Sequence, residues 1–361
     1  MKNIINFRHI TLLLILVVLV GATDTVVAKE RRKSRKKADT EQTSEKPLPE
    51  YEKLFKDKEF KTSEGFLALH KIEDKVYIEL PLGIIGKRML LGTTVDAVSD
   101  PNESSPGIQP KTPVQVLFNR SDSVVQLCKI RETVRGNGSN LKTALEKSNN
   151  PAVIESFRIK AWSPDSSAVV FDATSLFIGD KPELSPFDPK GYNAMGGYVK
   201  RTPSYRGSNS MVADVMAFPD NASVVSYVSY DVTLALLGVF TMEKDKPFTA
   251  KVKRTFMLLP EEPMRPRIAD SRVGTEVTRY TEYSEEAQGT KPLYYANRWR
   301  LLPTDRTLFE KGEPCEPQTP ITFYIDPAFP ESWATAIRDA FGRGNKTFEK
   351  IGHSDAIRVL S

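Results

Sequence analysis

The sequence predicts a mainly β protein with some α structure, of the α+β class. Between residues 51 and 260, short runs alternate apolar and polar residues, which is typical of half-buried strands. Segments rich in Gly, Pro, Ser and Asn separate these runs, and few long helical patterns lie between them. With 40% hydrophobic and 27% charged residues in 361, the chain has the composition of a globular protein with room for two or three domains.

Residues 1–28 are predicted to be a signal peptide. Two basic residues precede an apolar run at 11–22, which is long enough for the hydrophobic region of a signal peptide and short for a membrane span. Small residues allow cleavage after Ala22 or Ala28. The alternative is an uncleaved membrane anchor. We expect an exported protein that is periplasmic, associated with the outer membrane, or extracellular.

Residues 29–50 are predicted to be a disordered linker of basic and polar residues. The linker begins with KERRKSRKK at 29–37. The first 37 residues carry a net charge of +7 and the whole chain +5, so the remaining residues carry −2. Because the positive charge lies in a flexible arm and not on a folded face, we expect no nucleic-acid partner. The arm is a solvated spacer, or it makes weak contact with a membrane surface through 29–37.

A small β-rich domain is predicted at 51–105. In the stretch GFLALHKIEDKVYIELP, apolar residues alternate in two short runs, and a charged turn at 73–75 separates them. This pattern predicts a β-hairpin. The segment 99–113 is rich in Pro, Ser, Gly and Asn and is predicted to be a loop, within which we place a domain boundary.

A larger β-rich domain is predicted at 106–320. Strand-like runs include VQVLFNR, SAVVFDA, SVVSYVSYDVTLALLGVF and FTAKVKRTFMLL. Strands at this spacing favour a β-sandwich-like arrangement. The segments 258–284 and 294–305, rich in Arg, Pro and aromatic residues, are predicted to be extended, because repeated Pro excludes helix.

Residues 321–361 predict an α/β unit of strand, helix and strand. Residues 321–325 alternate as a strand, and apolar residues including Trp333 and Phe341 recur at three- and four-residue steps as one face of a helix. A second β-type run begins at 356, and the two strands of such a unit pair in parallel. We expect this segment to be the incomplete start of a further domain.

The sequence offers no residues that we assign as catalytic, cofactor-binding or metal-binding. Of its three His, His9 lies in the predicted signal peptide, which leaves His70 and His353. A His-Glu-x-x-His zinc site needs two imidazoles four residues apart, and the sequence has no such pair. We expect both remaining His to be partly exposed or hydrogen-bonded.

Two Cys residues limit the redox chemistry. Cys128 and Cys315 exclude a disulfide scaffold and leave open one bridge or two free thiols. A Cys could pair with a His as nucleophile and base, but no local pattern supports such a pair, and no Gly-x-Ser-x-Gly motif is present.

Several phrases of the sequence carry a family resemblance when taken together. FYIDPAFPESW and NKTFEKIGHSDAIRV, preceded by LLPEEPMRPRIADSRVG and YYANRWRL, resemble the region that leads into the catalytic domain of a family of large secreted bacterial zinc metallopeptidases. EGFLALHKIEDKVYIELP and VVFDATSLFIGDKPELSPFDP resemble the two N-terminal domains of that family, which are described only as domains of unknown function. The resemblance covers 51–361.

The resemblance implies that a metzincin-like His-Glu-x-x-His-x-x-Gly-x-x-His helix follows the strand, helix and strand and holds the zinc. This sequence lacks that motif. The resemblance therefore implies that 321–361 are the incomplete start of a metallopeptidase catalytic domain. It implies that the chain is a non-catalytic N-terminal portion that stops before the HExxH motif, holds no zinc and is inactive by itself. Gly344 and His353 stand where the family has a large aromatic and an apolar residue.

Two alternatives remain open at this point. The chain could be a free-standing extracytoplasmic β-rich binding module with a peptide or envelope ligand. It could also be a prosegment-like partner of a separately encoded catalytic domain. In that case the strand at 321–325 and the helix face of Trp333 should aggregate when the partner is absent.

Overall fold

The computed structural model describes residues 49–131, 133–189, 198–286 and 288–360. The predicted signal peptide lies outside these residues, and so does the predicted linker except for its last two residues. The first helix begins at Glu50, at the end of that linker. In the part of the chain that is described, no helix is long and apolar enough to cross a membrane.

Strands hold far more of the described residues than helices do, and the helices are short, which confirms the mainly β prediction. The strands are β1 (Phe60–Ser63), β2 (Ala68–Ile72), β3 (Lys75–Pro81), β4 (Met89–Val98), β5 (Val114–Arg120), β6 (Val124–Lys129), β7 (Val134–Asn137), β8 (Ala152–Trp162), β9 (Ala168–Asp172), β10 (Val199–Tyr205), β11 (Met211–Ala217), β12 (Asn221–Leu236), β13 (Phe240–Leu258), β14 (Val277–Ser284), β15 (Thr290–Ala296), β16 (Ile321–Tyr324) and β17 (Ile357–Leu360). The helices are α1 (Glu50–Phe55), α2 (Ser139–Ser148), α3 (Thr174–Ile178), α4 (Arg306–Glu310), α5 (Glu331–Gly342) and α6 (Asn345–Glu349).

One large antiparallel sheet dominates the fold. Its strand order is β1-β2-β3-β9-β8-β6-β5-β4-β13-β12-β10, and β11 pairs with β12. The sheet nearly closes on itself, because β11 lies beside β1 and β2. At this junction Ala217 N–H donates to Ser63 Oγ at 2.8 Å, and Phe66 N–H donates to Phe218 O at 3.0 Å. The buried apolar side chains of these strands form one main cluster and two smaller ones.

The large sheet runs through both of the predicted β-rich segments. β3 pairs with β9, and β4 pairs with both β5 and β13, so backbone hydrogen bonds join 51–105 to 106–320. We predict a β-sandwich-like arrangement for the larger segment, whereas most of its strands lie in one nearly closed sheet. The difference arises because pairings between strands far apart in the sequence supply neighbours that local patterns do not reveal. The domain boundaries themselves remain predictions.

The main hydrophobic core lies inside this sheet and draws on both segments. Phe118 is fully buried at its centre, with its ring centroid 5.5 Å from that of Phe256 and 6.0 Å from that of Phe171. From the first segment, Leu69 and Ile78 are buried in the same cluster. Burying a side chain of this kind contributes about 1.5–3 kcal/mol, so the two segments stabilise each other.

The predicted hairpin in the first segment is confirmed. β2 and β3 pair antiparallel from Ile72 opposite Lys75, which leaves the two acidic residues Glu73 and Asp74 in the turn. Glu73 has a φ of 54°, in the left-handed region that tight hairpin turns require.

A long hairpin is formed by β12 and β13. The two strands pair from Asn221 opposite Met257 to Leu236 opposite Phe240. At its end Val239 N–H donates to Leu236 O at 3.1 Å, and the two residues between them, Leu237 and Gly238, have φ values of 54° and 71°. Positive φ at both central residues is typical of the tight turns that suit the twist of a hairpin.

The last described segment confirms the predicted order of strand, helix and strand. β16 and β17 pair in parallel from Ile321 opposite Ile357, and α5 and α6 lie between them in the sequence. The predicted single helix is divided in two, since α5 ends at Gly342 and α6 begins at Asn345. Gly residues within a helix weaken it by about 1 kcal/mol relative to Ala, which accounts for the division.

A third, smaller sheet contains parts of the two segments predicted to be extended, at 277–284 and 294–296. β14 pairs with β15 antiparallel and with β7 in parallel. α2 lies against this sheet, where Gly136 of β7 approaches Leu141 and Leu145 of the helix.

Candidate functional site

The unit formed by β16, α5, α6 and β17 exposes many large apolar side chains, and we call this surface the C-terminal apolar surface. Tyr324 is 77% exposed and Trp333 65%. In α5 only Ala334 is buried. The exposed apolar side chains of the unit are those of Tyr324, Phe329, Trp333, Phe341, Ile351 and Leu360.

The apolar face predicted for the helix is therefore present in α5, but most of it is exposed to solvent. A sheet of two strands is narrow, so α5 rests on it with a small part of its surface. Parallel sheets in α/β proteins are normally covered on both faces. The C-terminal apolar surface thus has the character of an interface with further protein.

His353 lies just after α6 and is buried, with 5% of its surface exposed. Its ring lies against that of Phe309, with 4.8 Å between centroids. Its Nδ1 has no hydrogen-bond partner among the described residues, which is unusual for a buried polar atom. The expectation of a partly exposed or hydrogen-bonded ring is therefore not met at this nitrogen.

The two cysteines are free thiols, which answers the question that the sequence leaves open. Cys128 is buried in β6, and burial raises the pKa of its thiol. Cys315 lies between α4 and β16, and its Sγ accepts a hydrogen bond from Asp305 N–H at 3.2 Å. Both thiols are therefore held in the interior.

The residues described do not fit the zinc site that the metallopeptidase resemblance implies. Among them, no group of three or more His, Cys, Asp or Glu side chains could hold a metal ion. His353 and Cys315 are neighbours across a β-bridge, but two donors do not make the three- or four-ligand site that zinc requires. Both ring nitrogens of His70 are occupied by other side chains of the protein.

A groove of about 650 Å³ lies next to His353, and we call it the arginine groove. Four guanidinium groups line it, and none of the described residues that line it is acidic. Trp299, 61% exposed, and several aliphatic side chains form the remainder of its wall. The arginines are Arg265, Arg267, Arg298 and Arg300.

Two of these arginines are held in place by backbone carbonyls. Arg298 donates from Nη2 to Arg265 O at 2.7 Å, and Arg300 donates from Nη1 to Glu262 O at 2.9 Å. Carbonyl acceptors orient a guanidinium without neutralising its charge. Planar guanidinium groups bind carboxylates through paired hydrogen bonds, so the arginine groove suits a ligand with carboxylate groups.

A network of polar side chains surrounds His70 in the first segment. Thr62 Oγ1 lies 2.8 Å from His70 Nδ1, and His70 Nε2 lies 3.1 Å from Glu79 Oε2. Tyr51 donates from its hydroxyl to the same Glu79 oxygen at 2.9 Å. A groove of about 580 Å³ lies over these four side chains. The network connects α1, which carries Tyr51, to strands β1, β2 and β3.

The Thr62 hydroxyl, the His70 imidazole and the Glu79 carboxylate are connected in the same order as the groups of a Ser-His-Asp catalytic triad. We assign the network a structural role, because its carboxylate also accepts from Tyr51 and so fastens α1 to the sheet. The hydrogen bond with His70 lowers the pKa of Glu79, and the bond from Tyr51 lowers it further against the opposing effect of burial. Burial raises the pKa of Tyr51 to about 12, and the hydrogen bond to Glu79 adds to this.

Replacing Glu79 with Gln is expected to lower the free energy of unfolding at pH 7, and this loss should shrink in acid. A carboxyl whose pKa is lowered by folding stabilises the protein above its unfolded pKa of about 4.3, and that contribution disappears as the pH falls through the folded value. Urea unfolding at pH 7 and pH 3 measures the loss of stability with the Glu79 carboxyl ionised and with it protonated. Glu146→Gln, on the exposed side of α2, is the matched control. A difference from wild type that is equally large at pH 3 would contradict the role given to the Glu79 carboxylate.

Neither the His70 network nor the arginine groove was predicted from the sequence. Tyr51, Thr62 and Glu79 carry no motif and meet only through the fold. The arginine groove had one visible signal, the phrase NRWR at 297–300, whose alternation of Arg and Trp is unusual for a solvated loop.

Fold and surface together define the class: a mainly β protein with a nearly closed sheet, an appended parallel α/β unit and surface grooves. Residues 114–304, more than half of the chain, match the family model described as Domain of unknown function (DUF5117), and the chain belongs to that family. Residues 48–98 match a second model, described as Domain of unknown function (DUF5118). Two domains of unknown function in this order agree with the resemblance noted from the sequence. No curated protein and no solved structure matches the chain.

Proposed function

We propose that this chain is the non-catalytic N-terminal portion of a secreted zinc-dependent metallopeptidase, and that it holds the zinc-bearing catalytic domain through the C-terminal apolar surface. The observation that supports the proposal is that surface itself. Side chains such as Tyr324 and Trp333 are too exposed to stabilise the unit that carries them. Several large apolar side chains exposed on one small unit are typical of sites of protein contact.

The pairing of β16 and β17 supports the same interpretation. Among the described strands, each has only the other as its neighbour. Open strand edges beside an uncovered apolar helix allow further strands to add to the sheet. The family resemblance places the catalytic domain at this position, so we infer that its sheet continues from β16 and β17.

The proposal assigns zinc chemistry to the partner domain and binding to this chain. Zinc requires three or four closely placed donors, and the described residues bring together no such set. Export is part of the proposal, and it depends on the predicted signal peptide at 1–28.

The DNA beyond the codon for Ser361, and the neighbouring genes, are expected to encode a His-Glu-x-x-His motif. The chain should be purified alone and together with the segment that carries this motif, followed by measurement of bound zinc and cleavage of casein. We expect substoichiometric zinc and no cleavage for the chain alone, and one zinc with cleavage for the complex. Stoichiometric zinc and casein cleavage by the chain alone would overturn the proposal, as would absence of the motif.

Variants of the apolar surface test the proposed contact in the same complex. Trp333→Ser should weaken binding of the catalytic segment while leaving the thermal midpoint of the chain unchanged, because Trp333 is mostly exposed. Tyr198→Ser removes an aromatic side chain of similar exposure, 61%, elsewhere on the protein and should leave binding intact. If Trp333→Ser bound the catalytic segment as tightly as Tyr198→Ser does, the contact would not involve the C-terminal apolar surface at Trp333.

The alternative of a free-standing binding module is favoured by one observation, the arginine groove. Four arginines without acidic neighbours in the described wall, beside a buried His353 nitrogen without a partner, suit a peptide ligand rich in carboxylates. The two proposals separate in the experiment above, because a free-standing module needs no partner with a His-Glu-x-x-His motif.

A further inference from the structure

The arginine groove offers main-chain groups to a ligand as well as guanidinium groups. Residues 298–301 line it, and their backbone N–H groups form no hydrogen bond with any described residue. These residues lie outside the helices and strands, and Arg298, Trp299 and Arg300 are exposed. An exposed segment with unpaired N–H groups can pair with the main chain of a peptide, as in strand addition.

The guanidinium groups of the groove have no anionic partner among the described residues. Arg298 and Arg300 donate only to backbone carbonyls. The side chains of Arg265 and Arg267 form no ion pair or hydrogen bond with a described residue. The carboxylates of a ligand can therefore bind these groups without first breaking an internal ion pair.

Acidic residues at the rim of the groove do not cancel its charge. Glu261 is already paired with Lys87, with 2.6 Å between Oε1 and Nζ. Four arginines and two lysines against four carboxylates leave the groove and its rim with a net charge of +2. The groove therefore favours an anionic ligand. The rim residues counted, which lie within two positions of the wall or are bonded to it through the backbone, are Lys346, Lys350, Glu262, Glu276, Glu349 and Asp355.

The apolar part of the wall favours a peptide over other anionic ligands. Trp299 stands between two of the arginines in the sequence, and Leu301 and Leu302 follow them in the same wall. A sulfated polysaccharide or a polyphosphate offers few apolar groups to cover these side chains. A peptide with both acidic and apolar side chains matches both kinds of wall residue, and its main chain matches the unpaired N–H groups.

We propose that the arginine groove binds an acidic peptide in an extended conformation, and that this peptide is the substrate of the catalytic domain. The wall connects the two sites, because Phe348 and Ile351 belong to the strand–helix–strand unit and Ile351 is also part of the C-terminal apolar surface. The role as substrate rests on the function proposed above, whereas binding of the peptide does not.

Calorimetric titration of the full chain with a synthetic peptide tests the binding. The peptide has eight residues, blocked ends and four Glu, and its partner has Gln in place of each Glu. The wild-type chain should bind the Glu peptide more tightly. The Arg265→Gln, Arg267→Gln double variant should weaken this binding about tenfold, as expected for the loss of charge-assisted hydrogen bonds, and should leave the thermal midpoint unchanged.

The matched control is the Arg158→Gln, Lys160→Gln double variant. It removes the same charge from two exposed positions of β8, whose side chains form no ion pair with a described residue. It should bind the Glu peptide like wild type. The basic residues at 29–37 are the same in every variant, so attraction by them produces no difference between variants.

Tryptophan fluorescence locates the bound peptide. Trp299 is 61% exposed in the wall, so the Glu peptide should change the emission of the wild-type chain. Trp299→Phe should lose that change. Trp333→Phe removes a Trp of similar exposure outside the groove and should keep it.

The substrate role is tested in the complex with the catalytic segment. The Arg265→Gln, Arg267→Gln double variant should raise KM for cleavage of the Glu peptide and leave kcat unchanged, because the groove lies outside the catalytic domain. Failure of the proposed function has a different readout, since the wild-type complex would then hold no zinc and cleave neither peptide.

Three results would overturn the inference. The Arg265→Gln, Arg267→Gln variant could bind the Glu peptide as tightly as wild type. The same variant could lose affinity for heparin and not for the peptide, which would make a sulfated polysaccharide the ligand of the groove. An active complex could show the same KM with and without the two arginines, which would remove the substrate role.

Discussion

Replacing Arg254 with Ala is expected to lower the free energy of unfolding by about 3–5 kcal/mol. Arg254 of β13 is completely buried. Its Nη1 donates to Leu176 O at 2.8 Å and to Gly179 O at 3.1 Å, and its Nη2 donates to Leu184 O at 3.2 Å. Without these donors, Leu176 O and Gly179 O lose their bonds to the guanidinium in the interior, while Leu184 O keeps a bond from the Thr93 hydroxyl at 3.3 Å.

Arg254 also fills a large volume, so the variant adds a cavity to the loss of hydrogen bonds. Burial lowers the pKa of Arg254 to about 10, which leaves the guanidinium charged at neutral pH. Urea unfolding at pH 7 measures the change. Lys253→Ala, at the adjacent exposed position, should change stability by no more than about 0.5 kcal/mol. A loss of less than about 1 kcal/mol for Arg254→Ala would mean that water replaces the guanidinium.

Phe118→Ala is expected to lower the free energy of unfolding by about 3–5 kcal/mol and to destabilise both β-rich segments together. Phe118 lies between Phe171 and Phe256 in a core that also contains buried side chains of the first segment. Truncating it removes contacts on several sides, and the packed surroundings cannot fully collapse into the space.

Hydrogen exchange distinguishes a shared core from two independent ones. Amides of β3 and of β13 should lose protection by the same amount in Phe118→Ala, because both strands cover the same interior. Phe218→Ala, at a side chain that is 50% exposed, is the control and should leave protection of both strands nearly unchanged. Loss of protection confined to β13 would show that the two segments unfold separately.

Local patterns in the sequence were enough to predict the elements that form between neighbours in the chain. The hairpin of β2 and β3 follows from two alternating runs and a charged turn, and the parallel pair β16 and β17 follows from a strand, a helix and a strand in succession. In both cases the residues that decide the structure lie within about forty residues of one another, where periodicity is informative.

The nearly closed sheet could not be predicted in this way, because its pairings join residues far apart in the sequence. The burial of Arg254, in contrast, could have been predicted from the local alternation of β13. Ala250, Val252, Arg254 and Phe256 form one inward-facing set in β13. The alternation thus places Arg254 in the core, although its residue type argues for the surface. A charged residue in the inward phase of an apolar strand was a signal of a buried polar network.

The pairing of β4 with β13 has a consequence for how the protein is made. Met89 lies opposite Leu258, 169 residues later in the chain. At about 5–20 residues per second, a ribosome needs on the order of ten seconds to supply that partner. During this delay the apolar strands of the first segment have no complete sheet to join, and pairings of such long range are formed slowly. We expect the newly made polypeptide to depend on a holdase chaperone until β13 is complete.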